Sequence, residues 1–264
     1  MKKEILQQNN RVVYHRHGQG LPVVLVHGFG EDHRVFEQQV NYLKNSYLVL
    51  TPDLPGSGAS ELPPGELSME MLAETLEEIR KAEQLEKFVL IGHSMGGYIT
   101  MAYAEKYPQR LLGYGLFHST SAADDEEKKQ TRQKAIEFIQ THGSAKFLAE
   151  AIPKLFSEES RSTQPQLIEE MISRYSDFDP EALTAYYEAM MKRPDRSDCL
   201  KKARVPVLFI AGKFDETIPL DNMLKLVSLP EFSYIHICNH SGHMGMLEEP
   251  AFCNRTIEKY LSEI

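Results

Sequence analysis

The stretch FVLIGHSMGG, residues 88–97, carries four apolar residues into a serine with glycines two places before and two after it. Phe88–Gly92 is almost continuously apolar, as a strand buried on both faces is. From Ser94 to Tyr107 the pattern is helical, and Pro108 stops it. Ser94 therefore falls in a tight strand-to-helix turn. The residues two before and two after it crowd each other there, so both must be small, and the turn lifts the hydroxyl to the carboxyl end of the strand. The helix start offers free N–H groups and partial positive charge, which favour an oxyanion. Gly97 suits close packing of that helix. Strand, serine, spacing and helix together make a nucleophile elbow.

Outward from this point, β-rich runs alternate with helical patterns. Val12–His15, Val23–His27, Tyr47–Thr51, Gly113–His118, Val207–Ala211 and Tyr234–Cys238 read as further strands. His33–Lys44, Ser68–Gln84, Pro219–Val227 and Pro250–Leu261 read as helices between or after them. Such alternation predicts a mostly parallel sheet with helices on its faces. Lys2–Gly20, with Asn9-Asn10 at its centre, predicts an antiparallel hairpin at one edge. The alternation breaks between Ser119 and Leu200, where four helical patterns follow one another at Arg132–Thr141, Ala145–Ala151, Gln166–Tyr175 and Pro180–Met191. We expect a sheet core from residues 1–118 and 201–264 and a helical insertion over 119–200.

A serine hydroxyl is a poor nucleophile without a base, and the base needs an acid to fix its tautomer. FDETIP places Asp215 just past the strand Val207–Ala211, with Asp221 as the near competitor at a helix start, where capping is the ordinary role. ICNHSGHMG offers His236, His240 and His243. His243 lies in a loop beside Gly242 and is the preferred base, with His240 as the alternative. The chain order Ser94, Asp215, His243 is the order the elbow architecture uses. A second oxyanion donor is expected from HGFGED, where the backbone N–H of Phe29 joins that of Met95. His27 and Asp53 read as structural anchors of their loops. His118, at the end of a strand where the insertion begins, is expected either to border the substrate pocket with Phe29 and Met95 or to serve a structural role.

Composition narrows the alternatives. Lysine and arginine number 29 against 38 acidic residues, a net charge of −9, which argues against a general nucleic-acid binder and against an anionic membrane surface. No run of about 18 apolar residues predicts a membrane span. MKKEILQQNN lacks the apolar run of a secretory signal, and three cysteines, Cys199, Cys238 and Cys253, make no disulfide framework. A cytoplasmic location is expected. The sequence sets no oligomeric state. TPDLPGSGAS lacks the spacing and lysine of a phosphate loop. His15-x-His17 and His236-x-Cys238-x-His240-x-x-His243 hold metal donors at short spacing, but the hydrolytic reading already uses His243, and no metal is expected.

HGFG, PDLPGSGAS, GHSMGG, GKFDETIP and SGHMGMLEEP together resemble the successive signatures of the α/β-hydrolase fold superfamily, over nearly the whole chain outside the insertion. The resemblance implies an α/β fold with an eight-stranded, mostly parallel sheet and a helical cap. It places the nucleophile on Ser94, the acid on Asp215, the base on His243 and the oxyanion donors on Phe29 and Met95. Members that use an aspartate nucleophile are not matched, because Ser94 stands there. The implied reaction is acyl transfer on a small-molecule carboxylic ester, with no cofactor. A thioesterase or lactonase, a lyase of the hydroxynitrile type and a non-catalytic small-molecule receptor share the same fold. Phe138, Phe147, Leu148, Met190 and Met191 in the insertion suggest a mostly apolar pocket.

Overall fold

The apolar runs become the central strands of one sheet in the computed structural model, which describes all 264 residues. The strands are β1 (Lys2–Gln7), β2 (Asn10–His17), β3 (Leu21–Val26), β4 (Tyr47–Pro52), β5 (Phe88–His93), β6 (Leu111–Phe117), β7 (Val207–Gly212) and β8 (Ser233–Cys238). Their spatial order is β1-β2-β4-β3-β5-β6-β7-β8. β2 runs antiparallel to both neighbours, and every other pair from β4 to β8 is parallel. The predicted hairpin is β1–β2, turned at Gln8 and Asn9, both at positive φ. β5 and β7 are buried along their whole length, as unbroken apolar runs require.

The helices outside the insertion are α1 (Glu37–Leu43), α2 (Met69–Ala82), α3 (Met95–Lys106), α10 (Leu220–Leu224), α11 (Gly245–Glu248) and α12 (Pro250–Ser262). Two predicted helices are shorter than expected. His33–Phe36 is a 3-10 turn ahead of α1, and the pattern Pro219–Val227 yields only the five residues of α10. Between β6 and β7 the chain leaves the sheet for α4 (Glu126–His142), α5 (Ser144–Ala151), α6 (Glu158–Thr163), α7 (Pro165–Tyr175), α8 (Pro180–Lys192) and α9 (Ser197–Lys201). α6 and α9 were not predicted. Both are short and polar, with one buried side chain each, so neither carries an apolar stripe.

The sheet order reverses at β3: β4 lies on one side of it and β5 on the other. In an open parallel sheet the crevice at such a point, beyond the carboxyl ends of the strands, is where ligands bind. The loop after β3 carries Phe29, and the turn after β5 carries Ser94.

Candidate active site

Ser94 sits at φ 50° and ψ −116°, a sparsely populated region for a residue with a side chain. The surroundings hold it there. Its N–H donates to Phe117 O (3.0 Å), and Ser119 Oγ donates to Ser94 O (2.7 Å). A methyl group on Gly92 would overlap the Gly96 carbonyl, and one on Gly96 would overlap the Val26 carbonyl. Gly97 packs closely on two sides, since a Cβ there would lie 3.2 Å from Gly92 O of β5. A side chain there would strike Ser119, so its smallness serves the junction with the insertion.

Asp215 and His243 come together from loops after β7 and β8. His243 Nδ1 donates to Asp215 Oδ2 at 2.8 Å, both side chains being buried. Asp215 Oδ1 accepts from the N–H groups of Thr217 (2.9 Å) and Ile218 (2.8 Å). Burial opposes its ionisation, but the neighbouring imidazoles of His243 and His118 hold Asp215 well below the usual carboxylate range. Burial also lowers the pKa of His243, with Asp215 pulling the other way. With Nδ1 engaged, Nε2 is the free nitrogen of that ring. Ser94 and His243 open onto one cavity, without a direct hydrogen bond between them.

The two alternatives weighed from sequence are placed elsewhere. His240 is exposed and pairs with Glu159 at 3.0 Å. Asp221 is exposed in the first turn of α10, where its side chain makes no capping bond. His27 and Asp53 are anchors. Leu54 N–H donates to His27 Nε2 (3.0 Å), and Asp53 accepts from the N–H groups of His33 (3.1 Å) and Ala59 (3.0 Å).

The cavity holds about 500 Å³ between the sheet and the insertion. Phe29, Ser94, Tyr98 and His243 line it from the core, and Arg132, Phe138, Phe147, Leu148, Tyr187 and Met190 from the insertion. The Phe29 ring stacks on Tyr187 with centroids 4.1 Å apart. The Phe29 N–H donates to no main-chain acceptor, and Met95, as first residue of α3, has none within its helix. Three expected wall residues are corrected. The Met95 side chain is fully buried in the core, and Met191 does not line the cavity. His118 lies behind Asp215: its Nδ1 is 3.3 Å from Oδ2, and its Nε2 accepts the Gly245 N–H (3.2 Å). It supports the acid and does not reach the cavity. A larger cleft of about 610 Å³, bordered by Asp32, His33, Arg34 and Asp53, does not reach Ser94.

One ionic group was missed. Glu31 is buried, accepts the Gly28 N–H (2.7 Å) and lies 3.1 Å from His93 Nδ1, while His93 Nε2 is 3.0 Å from the His243 carbonyl oxygen. His93 thus ties the loop of Phe29 to the loop of His243. The only trace in the sequence is a histidine beside the serine and an acid after HGFG.

The donors of the C-terminal set do not converge, and His15 gathers with His33 and Asp53 and not with His17. His15, His33 and Asp53 gather, but the two imidazoles stack at 3.6 Å with planes 13° apart, so their in-plane lone pairs run side by side. Of the C-terminal set, Cys238 packs on Cys253 (3.6 Å), His236 on Phe252, and His240 pairs with Glu159.

A buried parallel sheet that presents a strained serine at its switch point, with a histidine–aspartate pair beside it, defines the hydrolase class of α/β proteins. The sequence pattern of the alpha/beta hydrolase fold matches residues 22–250, and the chain belongs to that family. A curated relative, the pimeloyl-[acyl-carrier protein] methyl ester esterase of Legionella pneumophila (strain Paris), is 27% identical over 88% of this chain and 91% of its own. The malate-bound structure of a thermophilic esterase from Thermogutta terrifontis superposes with a TM-score of 0.94 at 30% identity, covering 100% of this chain and 98% of that one. The enol-lactonase of Burkholderia xenovorans LB400 shares the fold, with a TM-score of 0.91 at 20% identity over 98% of this chain and 100% of its own.

Proposed function

We propose that the chain is a serine hydrolase that cleaves small-molecule carboxylic esters through an acyl-enzyme on Ser94. The observation that carries this is the strained Ser94 opening onto the same cavity as a His243 whose other nitrogen is fixed by Asp215. His243 Nε2 takes the hydroxyl proton as Ser94 Oγ attacks the ester carbonyl. Asp215 steadies the imidazolium, and the N–H groups of Phe29 and Met95 receive the oxyanion. His243 then protonates the leaving alcohol, and water releases the acid by the reverse roles. The helical insertion acts as a cap over this site. The named activities of the Legionella and Thermogutta relatives support an ester as substrate. No helix is long and apolar enough to cross a membrane.

A fluorophosphonate probe tests the nucleophile. Wild type should label stoichiometrically and Ser94→Ala should not. Equal labelling of both, or none of either, rejects the assignment. A panel of methyl and nitrophenyl esters of rising acyl length tests the reaction, and background turnover across it would point to the lyase or receptor alternatives.

A further inference from the structure

The cavity wall contributed by the insertion carries charge that the ester chemistry does not use. Asp124, buried, is shared by two arginines. Arg132 Nε lies 2.6 Å from Oδ2 and its Nη2 3.3 Å from Oδ1, while Arg193 Nη1 lies 2.9 Å from Oδ1. Arg193 spends its remaining reach on main-chain oxygens of Met190 (2.7 Å) and Ala122 (2.9 Å), and stacks over the Tyr98 ring at 3.8 Å. Two cations against one anion leave a net positive charge. Of the two arginines, only Arg132 lines the cavity.

Its donors are not all engaged. Nε and Nη2 serve Asp124, and Nη1 meets no acceptor in the protein. The Arg132 guanidinium stands 5.5 Å from the ring centroid of Tyr187. Tyr98 and Tyr187 also line the cavity, and neither hydroxyl has a protein partner. Burial pushes the Tyr187 pKa up to about 12, so its hydroxyl keeps its proton at neutral pH. The other charges of the cavity do not neutralise this wall. Glu31 is committed to Gly28 and His93. Glu150 is exposed at the rim, alongside exposed Lys134 and Lys154. The wall therefore offers donors and positive charge with no unpaired anion beside them. A guanidinium with aromatic hydroxyls beside it, partly withdrawn from water, is suited to a carboxylate.

We propose that Arg132, with Tyr98 and Tyr187, binds a carboxylate on the substrate, so that the ester cleaved at Ser94 carries a second, free carboxylate: a monoester of a dicarboxylic acid or a close analogue. This rests on the ester-hydrolase reading above and adds the substrate class. It makes Arg132 a specificity residue, outside the groups that act on the reacting carbonyl.

The test compares monomethyl glutarate with methyl pentanoate, which differ only in a terminal carboxylate against a methyl. In wild type, kcat/KM for monomethyl glutarate should exceed that for methyl pentanoate at least about tenfold, mainly through KM. Arg132→Met should bring the two within a few-fold, and Tyr98→Phe should lower the ratio partway. Binding of both esters to Ser94→Ala by calorimetry gives a readout that needs no turnover. The glutarate ester should bind at least about tenfold tighter, and Arg132→Met on the same background should remove the difference. If Arg132→Met does not fold, the Ser94→Ala comparison and Tyr98→Phe decide. Equal binding of the two esters, or a preference that survives Arg132→Met, overturns the proposal. A binding preference without turnover of either ester keeps the carboxylate site and rejects the hydrolase reading instead.

Discussion

His93 Nε2 stands 3.0 Å from the carbonyl oxygen of His243, and its Nδ1 stands 3.1 Å from Glu31 Oε2. The ring is thus held from both sides. The pair is buried, with side-chain exposures of 1% and 2%. Removing one member of a buried pair strands the other and costs about 3–5 kcal/mol, whereas replacing both by apolar groups costs far less. His93→Leu should therefore lose about that much stability in urea unfolding, and Glu31→Leu/His93→Leu should recover part of it. A double variant that loses the sum of the two single losses would show that the pair is not coupled.

The pH profile follows from His243. Burial lowers its pKa, and Asp215 only partly offsets this. A general base acts when neutral, so the acid limb of kcat/KM should lie below the ordinary histidine value of about 6.5. A limb at or above that value contradicts the assignment. His27 is likewise buried with a lowered pKa. For both rings the unfolded chain takes up protons first as the pH falls. Their stability contribution is therefore full above about 6.5 and is lost progressively as the pH falls from there through the lower folded values. Denaturant midpoints measured between pH 8 and 5 check this.

Asp215→Asn keeps the shape of the acid but not its charge. Its amide oxygen can keep the bonds from the Thr217 and Ile218 N–H groups, but its NH2 then faces His243 Nδ1, a donor in the wild type. By the logic of the triad, kcat should fall by about 10³–10⁴ with the fold intact by circular dichroism. A loss under tenfold would move the acid elsewhere.

Gly97 and Ser119 are sterically coupled, since a methyl on Gly97 would overlap the Ser119 side chain. Gly97→Ala should destabilise by about 1–3 kcal/mol through overpacking. Adding Ser119→Gly should return part of it, while giving up the Ser119 bond to Ser94 O. Thermal midpoints of the three variants measure the coupling, and additive losses would refute it.

The sheet was legible because strands buried on both faces announce themselves as apolar runs, and Val23–His27, Phe88–Gly92 and Val207–Ala211 are such runs. Ser94, Asp215 and His243 were legible because each follows a strand in a set order. What stayed hidden has no local pattern. Arg132, Tyr98 and Tyr187 come from three helices and meet only when the insertion folds back over the sheet. His118 misled because a strand end beside the site was read as cavity wall, while the turn into Ser119 buries it behind Asp215. The short helices α6 and α9 bury too little to leave a stripe.

The stack of Phe29 on Tyr187 joins the segment proposed to donate an N–H to the oxyanion with a helix of the insertion. Substrate range in such folds invites engineering by transplanting the insertion from one relative to another. Here a transplant that lacks an aromatic at position 187 would remove the stacked partner of the Phe29 ring and loosen the backbone proposed to face the oxyanion. Chimeras of this chain should be cut so that residues 29 and 187 travel together from the same parent.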